Sequence, residues 1–191
     1  GSGYNWNTGI RKDSLVLCGA RFSPDGRPDT TYGRSGWVHY DIPGPESIRN
    51  IRAALQTDGK WVVAMDFTYQ KDFAVMRFEP DGRLDTTFRQ IGYVLFTNDP
   101  AQTDELKDLS VLPGGKILLI ASSRYETLNR DCRIIRLNPD GMRDTSFDRD
   151  GVLLLAERPW IGACRMLPDG CFVLVSYNQD WLQAGRYLPD G

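Results

Sequence analysis

The chain is poor in the residues that usually do chemistry. It holds one histidine, His39, in 191 residues. His39 lies in WVHYD, a predicted strand, with no Ser or Cys nucleophile motif beside it. That pattern points to packing or surface exposure rather than to a catalytic base. No GxSxG, HExxH, phosphate-binding loop or CxxC occurs anywhere in the sequence. The expectation is therefore a chain that is not an enzyme, with no cofactor and no metal site. The four cysteines, Cys18, Cys132, Cys164 and Cys171, fall at unrelated positions without paired ligand spacing. They read as small buried thiols, because a Cys164–Cys171 bridge across a hairpin turn would need demanding geometry.

Other shortages exclude other classes. The longest apolar runs, GVLLLA and KILLIA, have strand length, far from the roughly 20 residues of a membrane helix. Net charge is −2 and no basic stripe is visible, so nucleic-acid binding has no electrostatic support. No segment longer than a turn has helical periodicity. No signal-peptide pattern opens the chain, and the Gly1-Ser2-Gly3 start reads as an expression remnant, so the compartment stays open.

What the chain has in quantity is repetition. RFSPDG at 21–26 returns as RFEPDG at 77–82, RLNPDG at 136–141 and RYLPDG at 186–191. The aspartates of these turns, Asp25, Asp81, Asp140 and Asp190, are spaced by 56, 59 and 50 residues. A second series runs out of phase: LQTDGKW at 55–61, VLPGGKI at 111–117 and MLPDGCF at 166–172. Asp-Gly and Pro-Asp-Gly between apolar runs are hairpin signals. Two hairpins per repeat give four short antiparallel strands. In the repeat that starts near residue 50, these are IRAALQ, WVVAM, FAVMRF and YVLFT. The polar stretch NDPAQTDE at 98–105 links to the next unit. A four-stranded sheet of this kind buries its apolar faces only by stacking on copies of itself. The expected fold is thus all-β, a β-propeller or partial propeller of four-stranded antiparallel blades. A β-sandwich is the runner-up, but it does not require its strands to recur in sequence.

Three further elements recur within the unit. DTTY at 29–32, DTTF at 85–88 and DTSF at 144–147 are followed, four residues after each aromatic, by Gly36, Gly92 and Gly151. The aromatic suits a plug between neighbouring blades. The Asp suits local backbone N–H acceptance. The Gly suits a backbone conformation that a β-carbon disfavours. Arg21, Arg77, Arg136 and Arg186 are placed to pair with the aspartates, a structural role for a repeated charge pair.

The combination RLNPDG-x-x-DTSF-x-x-x-G followed by VLPGGKILLIA resembles the bacterial delta-60 repeat, and the resemblance runs from about Leu15 to the end. It implies a propeller, often part of a larger secreted or cell-surface bacterial protein. It implies no catalytic residues, because the shared positions are turns and packing sites. The chain departs from the pattern at Thr57, Gly114 and Cys171, the last standing where Lys is usual.

About 3.4 repeats fit in the chain, read as two, four, four and three strands. The whole chain, 1–191, is one array with incomplete terminal blades. Either it belongs to a longer array, or its termini share a blade, or a second chain completes a ring of about six blades. A homodimer or flanking repeats are the expected partners, since an open end exposes strand edges and an apolar face. The loops between the second and third strands hold the residues that differ most between copies. Tyr69 and Tyr125 align there, Arg124 and Glu126 flank the second, and Tyr177 and Trp181 lie in the third. Tyr69, Tyr125, Arg124 and Trp181 are the candidate ligand contacts, for a glycan or a protein partner; the alternative is that they cap blade edges. DRDG at 148–151, and Asp99, Asp104 and Glu105, have acidic character but read as solvated turns and loops.

Overall fold

A computed structural model describes residues 15–42, 48–67, 73–96, 104–123, 132–155, 160–167, 169–177 and 182–190. Thirteen strands form four separate antiparallel sheets among these residues. Blade 1 has two strands, β1 (Leu15–Ala20) and β2 (Trp37–Ile42). Blade 2 has four in simple up-and-down order: β3 (Ile48–Leu55), β4 (Trp61–Phe67), β5 (Phe73–Phe78) and β6 (Tyr93–Phe96). Blade 3 repeats this with β7 (Asp104–Val111), β8 (Ile117–Ser123), β9 (Cys132–Leu137) and β10 (Val152–Leu155). Blade 4 has three, β11 (Trp160–Met166), β12 (Phe172–Tyr177) and β13 (Leu182–Tyr187). The strand numbers per sheet are those the turn spacing implies.

One boundary differs from the sequence reading. Asp104 and Glu105, assigned to a linking loop, begin β7. Pairing to β8 outweighs their low strand propensity: Asp104 opposes Ser123 and Glu105 opposes Ser122, with a register shift between Leu106 and Asp108. Glu105 is held by Lys107 at 2.9 Å.

Consecutive blades stack face to face. The first strands of the blades, β3, β7 and β11, neighbour one another, while the fourth strands lie at the far edge. Each interface has its own apolar core. Leu17 and Ile42 of blade 1 meet Val63, Met65, Ala74, Met76 and Phe78 of blade 2. Val62, Ala64, Phe73 and Val75 of blade 2 meet Ile117, Leu119, Ile135 and Leu137 of blade 3. Leu118, Ile120, Cys132 and Ile134 then meet Cys164, Phe172 and Leu174 of blade 4. Alternation explains the division: odd and even residues of one strand serve opposite neighbours. Every residue of β5 is consequently buried, as a strand covered on both faces must be. No helix among the described residues is long and apolar enough to cross a membrane.

Candidate functional site

The most elaborate chemistry lies at the joints between blades. In blade 2, the Asp85 carboxylate accepts from Arg77 Nε at 2.6 Å, Lys60 Nζ at 2.8 Å, the Thr87 hydroxyl at 2.6 Å and the Thr87 backbone N–H at 2.9 Å. Asp144 of blade 3 repeats the set with Arg136 at 2.6 Å, Lys116 at 2.6 Å and the Ser146 hydroxyl at 2.6 Å. Asp29 of blade 1 keeps Arg21 at 2.8 Å and the Thr31 hydroxyl at 2.6 Å. The pairing of arginines and aspartates read from the repeat is therefore present in all three. Burial pulls the Asp85 and Asp144 carboxyls upward. The lysine, the hydroxyl and arginine overcome it and hold both well below the usual carboxylate range. The same contacts raise Lys60, with the bond to Asp85 foremost.

The arginine then reaches out of its own blade. Arg21 Nη1 donates to the Pro80 carbonyl at 2.8 Å, Arg77 to the Pro139 carbonyl and Arg136 to the Pro189 carbonyl. Each acceptor is the proline of the next blade's Pro-Asp-Gly turn. A backbone bond runs in parallel, from Gly33, Arg89 and Asp148 N–H to the carbonyls of Asp81, Asp140 and Asp190, at 2.8, 2.8 and 2.9 Å. Each guanidinium also lies over its own repeat's aromatic ring, Tyr32, Phe88 and Phe147, at 5.0, 4.9 and 4.5 Å from the centroid. The aromatics are the expected plugs: Phe88 and Phe147 are wholly buried and Tyr32 nearly so.

This geometry explains the turn glycine. Gly82 and Gly141 have φ of +88° and +84°, and a β-carbon there would lie 2.8 Å from Tyr32 and 2.7 Å from Phe88. The residue must be glycine both for its own backbone and for the preceding blade's ring. Gly36, Gly92 and Gly151 likewise have positive φ, of 92°, 87° and 85°.

Blade 4 departs where its sequence does. Cys171 stands in place of Lys60 and Lys116, and Arg186 pairs instead with Asp169 of the adjoining hairpin turn. Of the cysteines, Cys132, Cys164 and Cys171 are buried free thiols, as expected, and burial pushes Cys164 up to about 12. Cys18 corrects that expectation. It is exposed, because the face of β1 that carries it has no described blade against it.

The candidate ligand residues Tyr69, Arg124, Tyr125 and Trp181, with Glu126, lie outside the described residues. Their neighbour Tyr177 ends β12 and is 44% exposed. His39 is exposed on β2. It borders a cleft of about 450 Å³ with Arg34, Tyr40 and Arg83, between β2 and the Pro-Asp-Gly turn of blade 2. Arg83 is engaged with Asp81 at 2.8 Å, and Tyr40 donates its hydroxyl to the Gly82 carbonyl at 2.8 Å. Residues 148–150 form a turn in which Asp150 accepts from the Val152 N–H at 2.9 Å.

Sequence reading missed Asp66. This buried carboxylate accepts from the Asn50 backbone at 2.6 Å, the Asn50 side chain at 2.9 Å and the Leu106 N–H of blade 3 at 2.9 Å. It ties the bulge of β3 to the next blade's first strand. The one available signal was an acid inside an otherwise apolar strand, WVVAMDF, whose repeat counterparts are Ser122 and Tyr177.

Two segments, residues 56–88 and 113–147, match a family described as "Domain of unknown function (DUF5122) beta-propeller". Each segment runs from the second-series turn through the aromatic plug. Both segments are similar to the repeats of that β-propeller family. The chain is accordingly an open, partial propeller of four-stranded antiparallel blades. A solved structure, "Crystal structure of puromycin hydrolase", aligns with 96% of this chain at 18% identity and a TM-score of 0.49. The alignment spans 30% of that protein. No curated protein matches the chain.

Proposed function

We propose that this propeller is a non-enzymatic scaffold, a protein-interaction module of a bacterial protein. The observation that carries this reading is where the recurrent polar residues are spent. Arg77, Asp85, Lys60 and Thr87, and their counterparts in blade 3, bond to one another and to the next blade's turn. Asp66, the buried acid that differs from its repeat counterparts, has its oxygens bonded to Asn50 and Leu106. A catalytic group needs free valences facing a substrate; these face blades. The bacterial setting rests on the delta-60 resemblance.

A carbohydrate-binding reading has one observation in its favour. Tyr177, 44% exposed, ends β12 four residues before Trp181 in the sequence. A broad hydrolase substrate panel, with and without added divalent metal, is expected to give no turnover. Sustained turnover by purified chain would sink the scaffold reading. A glycan array separates the second reading: hits lost in Tyr177→Ala with Trp181→Ala, at unchanged thermal stability, would establish sugar binding instead.

A further inference from the structure

Blade 2 has a blade against each face, and its outer strand differs from those on either side. In an antiparallel ladder, successive residues turn their N–H and C=O to opposite edges. Arg77 N–H donates to the Gly92 carbonyl at 3.1 Å, so Gly92, Val94 and Phe96 face β5. Tyr93 and Leu95 therefore turn their backbone groups outward. Blade 1 closes its first outward position with its own turn. Arg34 N–H donates to the Trp37 carbonyl at 2.7 Å, and Trp37 N–H to the Arg34 carbonyl at 3.2 Å. Blade 3 closes it with a side chain, Asp150 accepting from the Val152 N–H at 2.9 Å. In blade 2 that position is Tyr93, and the residue two before it is Ile91, whose side chain accepts nothing. Among the described residues, no bond closes the outward N–H of Tyr93.

The same edge lacks the usual guards against pairing. Residues 91–96, IGYVLF, contain no charge and no proline, whereas β2 carries His39 and Asp41, and Asp148, Arg149 and Asp150 precede β10. Ile91 and Leu95 are 53% and 42% exposed. Just before Ile91, Arg89 and Gln90 line a cleft of about 340 Å³ with Thr87, Asp140 and Met142, where blade 2 meets blade 3. Met142, itself exposed, stands where the preceding blade's turn has Arg83. The Arg89 stem lies against the Gly141 turn, and its guanidinium has no ion pair among the described residues.

Resting on the reading of this propeller as an interaction module, we infer that β6 takes a fifth strand, an extended segment of a partner protein. Open N–H and C=O groups in strand register are matched by another strand, not by a helix. Apolar side chains of that segment cover Ile91, Leu95 and Met142. An acidic residue at its end meets Arg89; the IGYVLF strand of a second copy carries none. Neighbouring blades do not offer the same site, because each has already closed the first outward position.

The probe is a fluorescein-labelled peptide of alternating valine and threonine with glutamates at one end. Fluorescence anisotropy is expected to show saturable binding to the intact chain, with hydrogen exchange slowed at the Tyr93 and Leu95 amides. The same peptide methylated at every backbone nitrogen should not bind. Ile91→Asn supplies the acceptor that blade 3 has in Asp150, without adding charge, at an exposed position. It should weaken binding by about tenfold at unchanged melting temperature. Leu154→Asn, on the outer strand of blade 3, should leave binding unchanged. Absence of saturable binding, or equal binding by Ile91→Asn, would overturn strand addition at β6. Dimerisation of the wild-type chain that Ile91→Asn abolishes would make a second copy the occupant and overturn the partner assignment. The hydrolase panel tests the scaffold reading separately: turnover there with peptide binding intact here would sink that reading alone.

Discussion

The same joint is built in blade 1 and in blade 2, with different surroundings. Arg21–Asp29 and Arg77–Asp85 share sequence spacing, Nε-to-carboxylate geometry, a threonine hydroxyl and a bond to the next blade's proline. The side chains of the first pair are 41% and 28% exposed, those of the second 8% and 0%. Asp85 also has Lys60, supplied by the turn that leads into β4 of its own sheet. Blade 1 has no described strand in that place. A motif thus specifies geometry, while the energy depends on whether a neighbouring strand removes water. An exposed ion pair contributes little, because solvent screens it and its side chains lose freedom. A buried one is costly to break, because the remaining charge is left desolvated.

The sharpest way to break the comparison is to truncate each arginine. Arg77→Ala should cost about 3 kcal/mol in urea unfolding, toward the low end for a buried pair because Lys60 remains on Asp85. Arg21→Ala should leave the transition nearly unmoved. Equal losses would mean that burial is not what distinguishes the joints.

The turn glycines repeat the contrast on a smaller scale. Gly26 and Gly141 have nearly the same φ, +82° and +84°. Alanine at either incurs the left-handed backbone cost of about 1 kcal/mol. Only at Gly141 would it also press into a buried ring, at 2.7 Å from Phe88. Gly141→Ala should therefore destabilise by clearly more than Gly26→Ala, about 2 kcal/mol or above. Matching values would remove the plug from the account of why that turn needs glycine.

Acid should produce the gentlest difference. The folded Asp85 and Asp144 lie below the usual carboxylate range, so their contribution is complete above the unfolded value of about 3.9. It is lost progressively as pH falls below about 4, since the unfolded chain then binds protons that the folded one resists. Melting temperature should drop over that window, and Asp85→Asn should flatten the drop while lowering stability at neutral pH. An unchanged acid slope in Asp85→Asn would show that other carboxylates set it.

Much of the fold was legible because the repeat is redundant. Turn residues recur at fixed offsets, and each copy confirms the others, so strand number and order followed from spacing alone. The aromatic plugs, turn glycines and Arg–Asp pairs were legible for the same reason. Asp104 and Glu105 were misassigned because loop-like composition gave no sign of the β8 partner that draws them into a strand. The candidate rim residues Tyr69, Tyr125, Arg124 and Trp181 stay expectations of sequence, lying outside the described residues.

From sequence alone came the blade, its four strands and the residue types of its joints, since local turn chemistry and period-two alternation need no partner to be read. Tertiary structure decided which surface each joint faces. Arg77 bonding to Pro139 crosses 62 residues, and Asp66 holding Leu106 crosses 40. No local pattern encodes such contacts; they exist because stacking brings one blade's turn over the previous blade's ring. Stacking also decided that Cys132 is buried while Cys18 is open, and that Phe22 is half-bare where Phe78 is not. The same residue in the same repeat position takes its meaning from whether another blade lies against it.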